Sequence, residues 1–387
     1  MSAADDDAPL AGIVVLDLTR MIPGATAARM LVDLGADVVK IEDPRGGDPM
    51  RMMPPVRDGI GVGFAACYRG AQSVALRLGT EPGNAGLRAM IGRADVLLES
   101  FRPGTLARFG LPPADLCREH PRLVVCSLPG YPAADPAASD VAHDLNTLAR
   151  TGLLARLHPE PAVPRVQIAD VTCGLLAGAS VVTALFARTR TGRGRWIEQP
   201  LVSGALPHVL MPWADLAACG EIGATERLIG GRVPAYSLYR CGDGRAIAVG
   251  CLEPKFWVGL CEAVGVPQAV AGGLRDDAEG ERARAWVAEE LARAPAAEWA
   301  RRLTDAGLPV DVVDDVHEAR GRAGEWFPSL VEQTPMPGGE PLELPGPALP
   351  SFAAPVRAAA PRLGEHTESA LRRLGASEDV IRSILGG

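Results

Sequence analysis

In VAHDLNTLAR, residues 141–150, a histidine and an aspartate stand side by side as His143 and Asp144. Imidazole titrates nearest to neutral pH of the common side chains, so a histidine is a natural general base. A carboxylate has other uses. It can accept hydrogen bonds from the free N–H groups that open a helix, or attack an acyl group to form a mixed anhydride. The pair stands where a helical run begins. Asp144 therefore reads either as an N-cap with His143 as its neighbour, or as half of a reaction centre. Asp170, in VQIADVTCGLL, precedes a second apolar run and admits a cap reading too. His120, His158, His208, His317 and His366 lack a comparable context and read as structural or surface residues.

These residues need a scaffold. IVVLDL at 13–18 is a continuous apolar run, as in a strand buried on both faces. ATAARMLVDLGA at 25–36 has helical periodicity and a closing glycine, and DVVKIEDP at 37–44 is a second strand. That is a βαβ unit, so a parallel sheet is expected. SVALRL at 73–78, DVLLESF at 95–101 and LVVCSLPG at 123–130 read as further strands, with a helix over 81–94. Helices are predicted over 144–155 and 170–190, and 196–210 begins as a strand and turns helical. AYSLYRCGDGRAIAVGCL at 235–252 alternates about a Gly-Asp-Gly turn, a hairpin signature. Helices follow at EPKFWVGLCEAVG and within 279–305, then a strand and helix start over 311–319. Residues 330–364 look extended, and EHTESALRRLG forms a short helix. The organisation is α/β: a large Rossmann-like domain over 1–220 and 330–387, and a smaller α+β domain over 221–329.

Composition narrows the function classes. The net charge is −8 and no basic block exists, which argues against nucleic acid as a partner. A few local arginines could still bind the phosphates of a small ligand. The eight cysteines form no C-x-x-C pair and no zinc-spaced cluster with histidine, so no metal is expected. They read as reduced thiols of a cytoplasmic protein. MSAADDDAPL is acidic and lacks the apolar core of a signal peptide. The apolar run GLLAGASVVTALFA at 174–187 is short for a bilayer and reads as a buried helix, so no membrane association is expected. A strand–helix–strand ending in Glu42 and Asp43 invites a dinucleotide reading. However, LTRMIPGATAA carries one glycine and not G-x-G-x-x-G, so the topology is kept and NAD is rejected.

Several stretches together resemble one family. They are LAGIVVLDLTR, LGADVVKIEDPRGGDPMR at 34–51, ADVLLESFRPGTLARFGL at 94–111, AHDLNTLARTGLL at 142–154, GRAIAVGCLEPKFW at 244–257 and RLGEHTESAL at 362–371. In order along almost the whole chain, they are similar to the family III coenzyme A transferases and the related α-methylacyl-CoA racemases. The resemblance implies a Rossmann-like large domain, a small domain and two interlocked chains in a homodimer. It implies an acyl-CoA substrate, with no cofactor beyond the CoA moiety itself.

In the racemases His143 would be one base and Asp170 the base on the opposite face of the α-carbon, with Glu253 as the partner of His143. The thioester oxygen would meet the N-terminus of the helix after His143, an oxyanion contact worth about 3–4 kcal/mol in known cases. In the transferases Asp144 would be the nucleophile. Histidine before Asp144, where many transferases carry an aromatic residue, favours the racemase branch, as does Leu-Glu-Pro at 252–254. The transferases' glycine run is absent, with only Gly230-Gly231 present. A non-catalytic acyl-CoA binding protein is the remaining alternative. The CoA contacts implied are Lys40, Arg69 with its neighbours Cys67, Tyr68 and Gly70, then Ser100, Phe101, Arg102 and Arg108. Ala142, Leu145, Asn146 and Thr147 would border the acyl group. Ala142 and Thr147 stand where the racemases carry glycine and tyrosine, and Ala169 where a glycine precedes the aspartate. These departures imply an altered acyl pocket.

Overall fold

The structure, a computed structural model, describes residues 7–355 and 358–386. It divides into two compact units: one runs to His208 and resumes at Gly324, and the other is Val209–Ala323. The expected boundaries at 220 and 330 are therefore displaced. Gly220 ends the helix Leu210–Cys219 in a left-handed cap, and the division precedes that helix.

The first unit is built on six parallel strands: β1 (Val14–Asp17), β2 (Asp37–Glu42), β3 (Gln72–Ala75), β4 (Val96–Glu99), β5 (Val124–Ser127) and β6 (Trp196–Glu198). Their order is β3-β2-β1-β4-β5-β6. The chain thus winds outward one way from β1 and then the other way from β4. The β1–β4 boundary is the switch point where the loops diverge and leave a crevice. β1, β2, β4 and β5 are buried on both faces, which explains their largely apolar text, whereas the edge strand β6 is exposed at Trp196 and Glu198. One face, including Leu16, Val39, Leu97 and Val125, packs on α3 (Glu81–Ile91) and on two C-terminal helices, α10 (Thr367–Arg373) and α11 (Glu378–Leu385). α11 is absent from the sequence expectation. Ser377 caps it by accepting from Val380 N–H.

On the opposite side α1 (Met21–Asp33) crosses α6 (Ile168–Thr191). Small residues allow the close approach: a Cβ on Gly174 would stand 2.4 Å from the Pro23 carbonyl oxygen, and one on Gly178 would stand 2.6 Å from the Met30 sulfur. At 24 residues, α6 outruns the apolar stretch read from sequence and is long and apolar enough to cross a membrane. Its Ala169, Cys173, Ala177 and Val181 are nonetheless buried, and Arg188 near its end pairs with Asp95 at 2.9 Å. Residues 330–364, expected only to be extended, include an antiparallel ladder of β10 (Val331–Thr334) and β11 (Leu342–Pro345).

The second unit holds the predicted hairpin, β7 (Tyr236–Arg240) and β8 (Ala246–Gly250), joined antiparallel by β9 (Val310–Val312). Asp243 accepts from Arg245 N–H in the turn, and Gly244 takes the left-handed conformation. Helices α7 (Pro254–Val264), α8 (Ala278–Leu291) and α9 (Ala296–Asp305) enclose a core of Ile247, Val249, Trp257, Leu260, Val287, Leu291 and Leu303.

Candidate active site

At the switch point lies a cavity of about 280 Å³. Three loops and two helix starts build it. The β1–α1 turn supplies Arg20 and Met21, and the turn after β4 supplies Ser100, Phe101, Arg102 and Pro103. The segment after β5 supplies Leu128, Gly130, Asp140, Ala142 and His143, and α6 supplies Asp170 and Cys173. The two turns are stitched together: Arg20 N–H donates to Ser100 Oγ at 3.0 Å. The Ser100–Arg102 turn is held from below by Glu99, whose buried carboxylate accepts from Phe101 N–H at 2.8 Å.

His143 sits immediately before α5 (Asp144–Thr151), in extended conformation and solvent-accessible. Asn146 fixes the entry. Its Oδ1 accepts from His143 N–H at 2.6 Å and its Nδ2 donates to the Val141 carbonyl at 2.9 Å. Behind this loop Asp140 pairs with Arg150 at 2.8 Å, and Arg150 in turn lies over the Tyr131 ring. Ala142 packs its methyl into the space over Gly130, where an added Cβ would stand 2.5 Å from it.

Asp144 corrects one expectation. The residue in the N-cap position of α5 is His143, and the Asp144 carboxylate turns to another helix. Its Oδ1 accepts from Asp170 N–H at 3.1 Å, in the opening turn of α6. α6 has no side-chain cap from Gln167, so Asp144 satisfies one of its free donors and sets a negative charge at its positive end. The same contact brings the two carboxylates together. Asp170 is pushed up to about 6, first by its burial, then by the Asp144 charge, with His143 pulling the other way. A carboxyl group so tuned can hold or release a proton close to neutral pH.

The structure does not gather all the expected ligand contacts. Lys40 is fully buried between Asp17 and Asp48, at 3.2 Å from each, and donates to the Thr19 carbonyl oxygen. Its ammonium is enclosed and offers no free donor to a phosphate. Arg69 is likewise buried, clamped by Asp33 at 2.5 Å and Glu332 at 2.7 Å. Tyr68 is buried with its hydroxyl donating to Asp17, Cys67 is half-buried, and the Gly70 N–H donates to the Ala358 carbonyl. The stretch 67–70 is thus framework rather than cavity wall. Arg108 is exposed, donates to Thr105 and does not line the cavity, whereas Arg102 does. Of the first turns of α5, Leu145 and Asn146 are exposed and Thr147 is buried. Glu253 belongs to the second unit, at the start of α7, with an exposed side chain. Among the described residues no cluster of histidine, cysteine and acidic groups could hold a metal. Sequence reading missed Arg20, Met21, Asp140 and Cys173. For the first two the signal was positional, since both directly follow β1 at the end of the sheet where such folds bind ligands.

Comparison with known proteins matches residues 10–367 to CoA-transferase family III. The chain belongs to that family. Among curated members, it is 32% identical to human alpha-methylacyl-CoA racemase over 384 residues, covering 97% of this chain and 96% of the racemase. It is 30% identical over 326 residues to acetyl-CoA:oxalate CoA-transferase of Acetobacter aceti, covering 80% and 82% of the two chains. A crystal structure of Rv3272 from Mycobacterium tuberculosis superposes with a TM-score of 0.79 at 27% identity, covering 93% and 98%. A CAIB/BAIF family protein from Brucella suis shares the fold at a TM-score of 0.77. Family III thus includes both racemases and transferases among this chain's relatives. The chemistry of the cavity has to argue between them.

Proposed function

We propose that this family III protein is a racemase or epimerase acting at the α-carbon of an acyl-CoA thioester of the 2-methylacyl type. The observation that carries the reading is that His143 and Asp170 line one cavity while Asp170 is held at about 6. Inversion at a carbon acid needs two such groups. One takes the α-proton, the C–H electron pair moves onto the thioester oxygen, and the other group returns a proton to the opposite face. A deprotonated and a protonated base must coexist at working pH, and a carboxyl group raised toward neutrality meets that need. The positive end of α5, which begins directly after His143, is suited to the enolate oxygen. Arg102 and Arg20 at the cavity wall are suited to the CoA phosphates. Asp144, the nucleophile that a transferase reaction would require, has one carboxylate oxygen accepting a hydrogen bond at the start of α6.

The test is exchange in D₂O. A 2-methylacyl-CoA incubated with the protein and no acceptor acid should gain deuterium at the α-carbon. His143→Ala should reduce that exchange by at least a hundredfold while CoA binding persists. Absence of exchange, with CoA passing to a carboxylic acid and hydroxylamine inactivating the protein at Asp144, would establish transfer instead. CoA-ester binding with neither reaction would leave a binding protein.

A further inference from the structure

Beneath the cavity wall lies a charged network that the proposed chemistry does not use. Lys40 reaches from β2 to Asp17 at the end of β1, to Asp48, and to the Thr19 carbonyl. Asp17 is saturated from other sides: Thr19 N–H donates at 2.8 Å, Thr19 Oγ1 at 2.6 Å and Tyr68 OH at 2.9 Å. Asp48 accepts from Met50 N–H at 2.9 Å and, more weakly, from Met21 N–H at 3.3 and 3.4 Å. The Thr19 N–H, hydroxyl and carbonyl and the Met21 N–H all join this network, which ties it to residues 19–21. That segment contains one of the two non-glycine residues with positive φ among the described residues: Met21 has φ +64°. A left-handed methionine is unfavourable and persists only where its surroundings over-determine it. Arg20 and Met21 both line the cavity, and Arg20 N–H makes the stitch to Ser100.

We propose that Lys40 is a positioning residue for this cavity. Acting through Asp48, Asp17 and the Thr19 carbonyl, it holds the β1–α1 turn in its strained form so that Arg20 and Met21 form the ligand-facing wall. The inference rests on the cavity being the thioester site. It reverses the expectation that Lys40 meets a CoA phosphate itself. The buried location decides between the two roles, because an enclosed ammonium shared among two carboxylates and a carbonyl has no free donor.

A phosphate ligand and a positioning residue fail differently. Lys40→Met is compared with the unaltered protein on a 2-methylacyl-CoA and on the same acyl group carried by pantetheine, which lacks the phosphates. If Lys40 positions the wall, KM rises tenfold or more for both thioesters, the pantetheine thioester included, and the Met21 amide exchanges hydrogen faster than in the unaltered protein. A loss confined to the phosphate-bearing thioester, with Met21 amide exchange unchanged, overturns the proposal, as does a folded Lys40→Met protein with unaltered KM. Should that variant fail to fold, Asp48→Asn decides, since Lys40 then retains Asp17. It should raise both KM values at least threefold and speed hydrogen exchange of the Met21 amide, and unchanged values would overturn the proposal. If the unaltered protein binds CoA but exchanges no α-proton, the proposed reaction fails separately. The comparison then proceeds on the dissociation constants of CoA and pantetheine.

Discussion

Asp170 ties reactivity to stability. Its carboxyl group is raised from the usual range to about 6, so the folded chain holds this proton more tightly than the unfolded chain does. The ionised form therefore opposes folding. Stability from this group is complete below about pH 4, falls as pH rises toward 6, and stays reduced above that. Asp170→Asn removes the charge and keeps the shape. It should abolish exchange yet melt at a higher temperature than the unaltered protein at pH 8, by roughly 1–2 kcal/mol after allowing for solvent screening of a half-buried group. The two melting curves should converge at pH 3.5. A variant no more stable at pH 8 would count against the raised pKa. His143 and Asp170 were legible from residue type and from the resemblance of their flanking text. That Asp144 would serve α6 rather than α5 was not, because a local motif cannot show which neighbouring helix end a carboxylate meets. The same blindness affected Lys40 and Arg69. A cation in sequence has the chemistry of a phosphate ligand, and only tertiary packing shows that acidic groups from distant segments already enclose it.

Elements carry these groups to one place, and their approach distances matter. Asp170 can reach the cavity because α6 starts beside α1, and Gly174 permits that crossing. Gly174→Ala should force the helices apart, costing roughly 1–3 kcal/mol and lowering kcat together with thermal stability, since the obstructing atom is a backbone carbonyl. Gly178→Ala faces the flexible Met30 side chain and should cost less. Thermal melts of both variants check the ranking, and equal losses would contradict it. At this scale the sequence was informative for β1, β2, β4 and β5, whose doubly buried positions demand continuous apolar runs. It was less so for α11, whose short amphipathic text follows α10 after only a brief linker. The ladder of β10 and β11 was hidden in the same way, since two partly exposed strands need no apolar run.

The whole molecule leaves apolar surface uncovered in each unit. Phe186, Val171 and Leu175 stand exposed on α6, and Leu210, Met211 and Trp213 on the helix Leu210–Cys219. Contiguous apolar surface on a helix marks a place used for association. A homodimer, expected from the family resemblance, would cover such residues. Light scattering at micromolar concentration should give twice the mass of the chain, and a monomer at that concentration would refute it.

Gly130 and Ala142 divide between them a space large enough for one methyl group. A side chain can therefore be added at 130 only after the Ala142 methyl group is removed. Alanine at 142 closes the space to any side chain at 130, and glycine at 142 would open it. The order of substitutions is constrained in a way that neither position reveals by itself. Gly130→Ala should impair folding or exchange alone and be rescued by Ala142→Gly in the same chain. Substitution in this loop is in this sense directional, with one methyl group acting as the pawl.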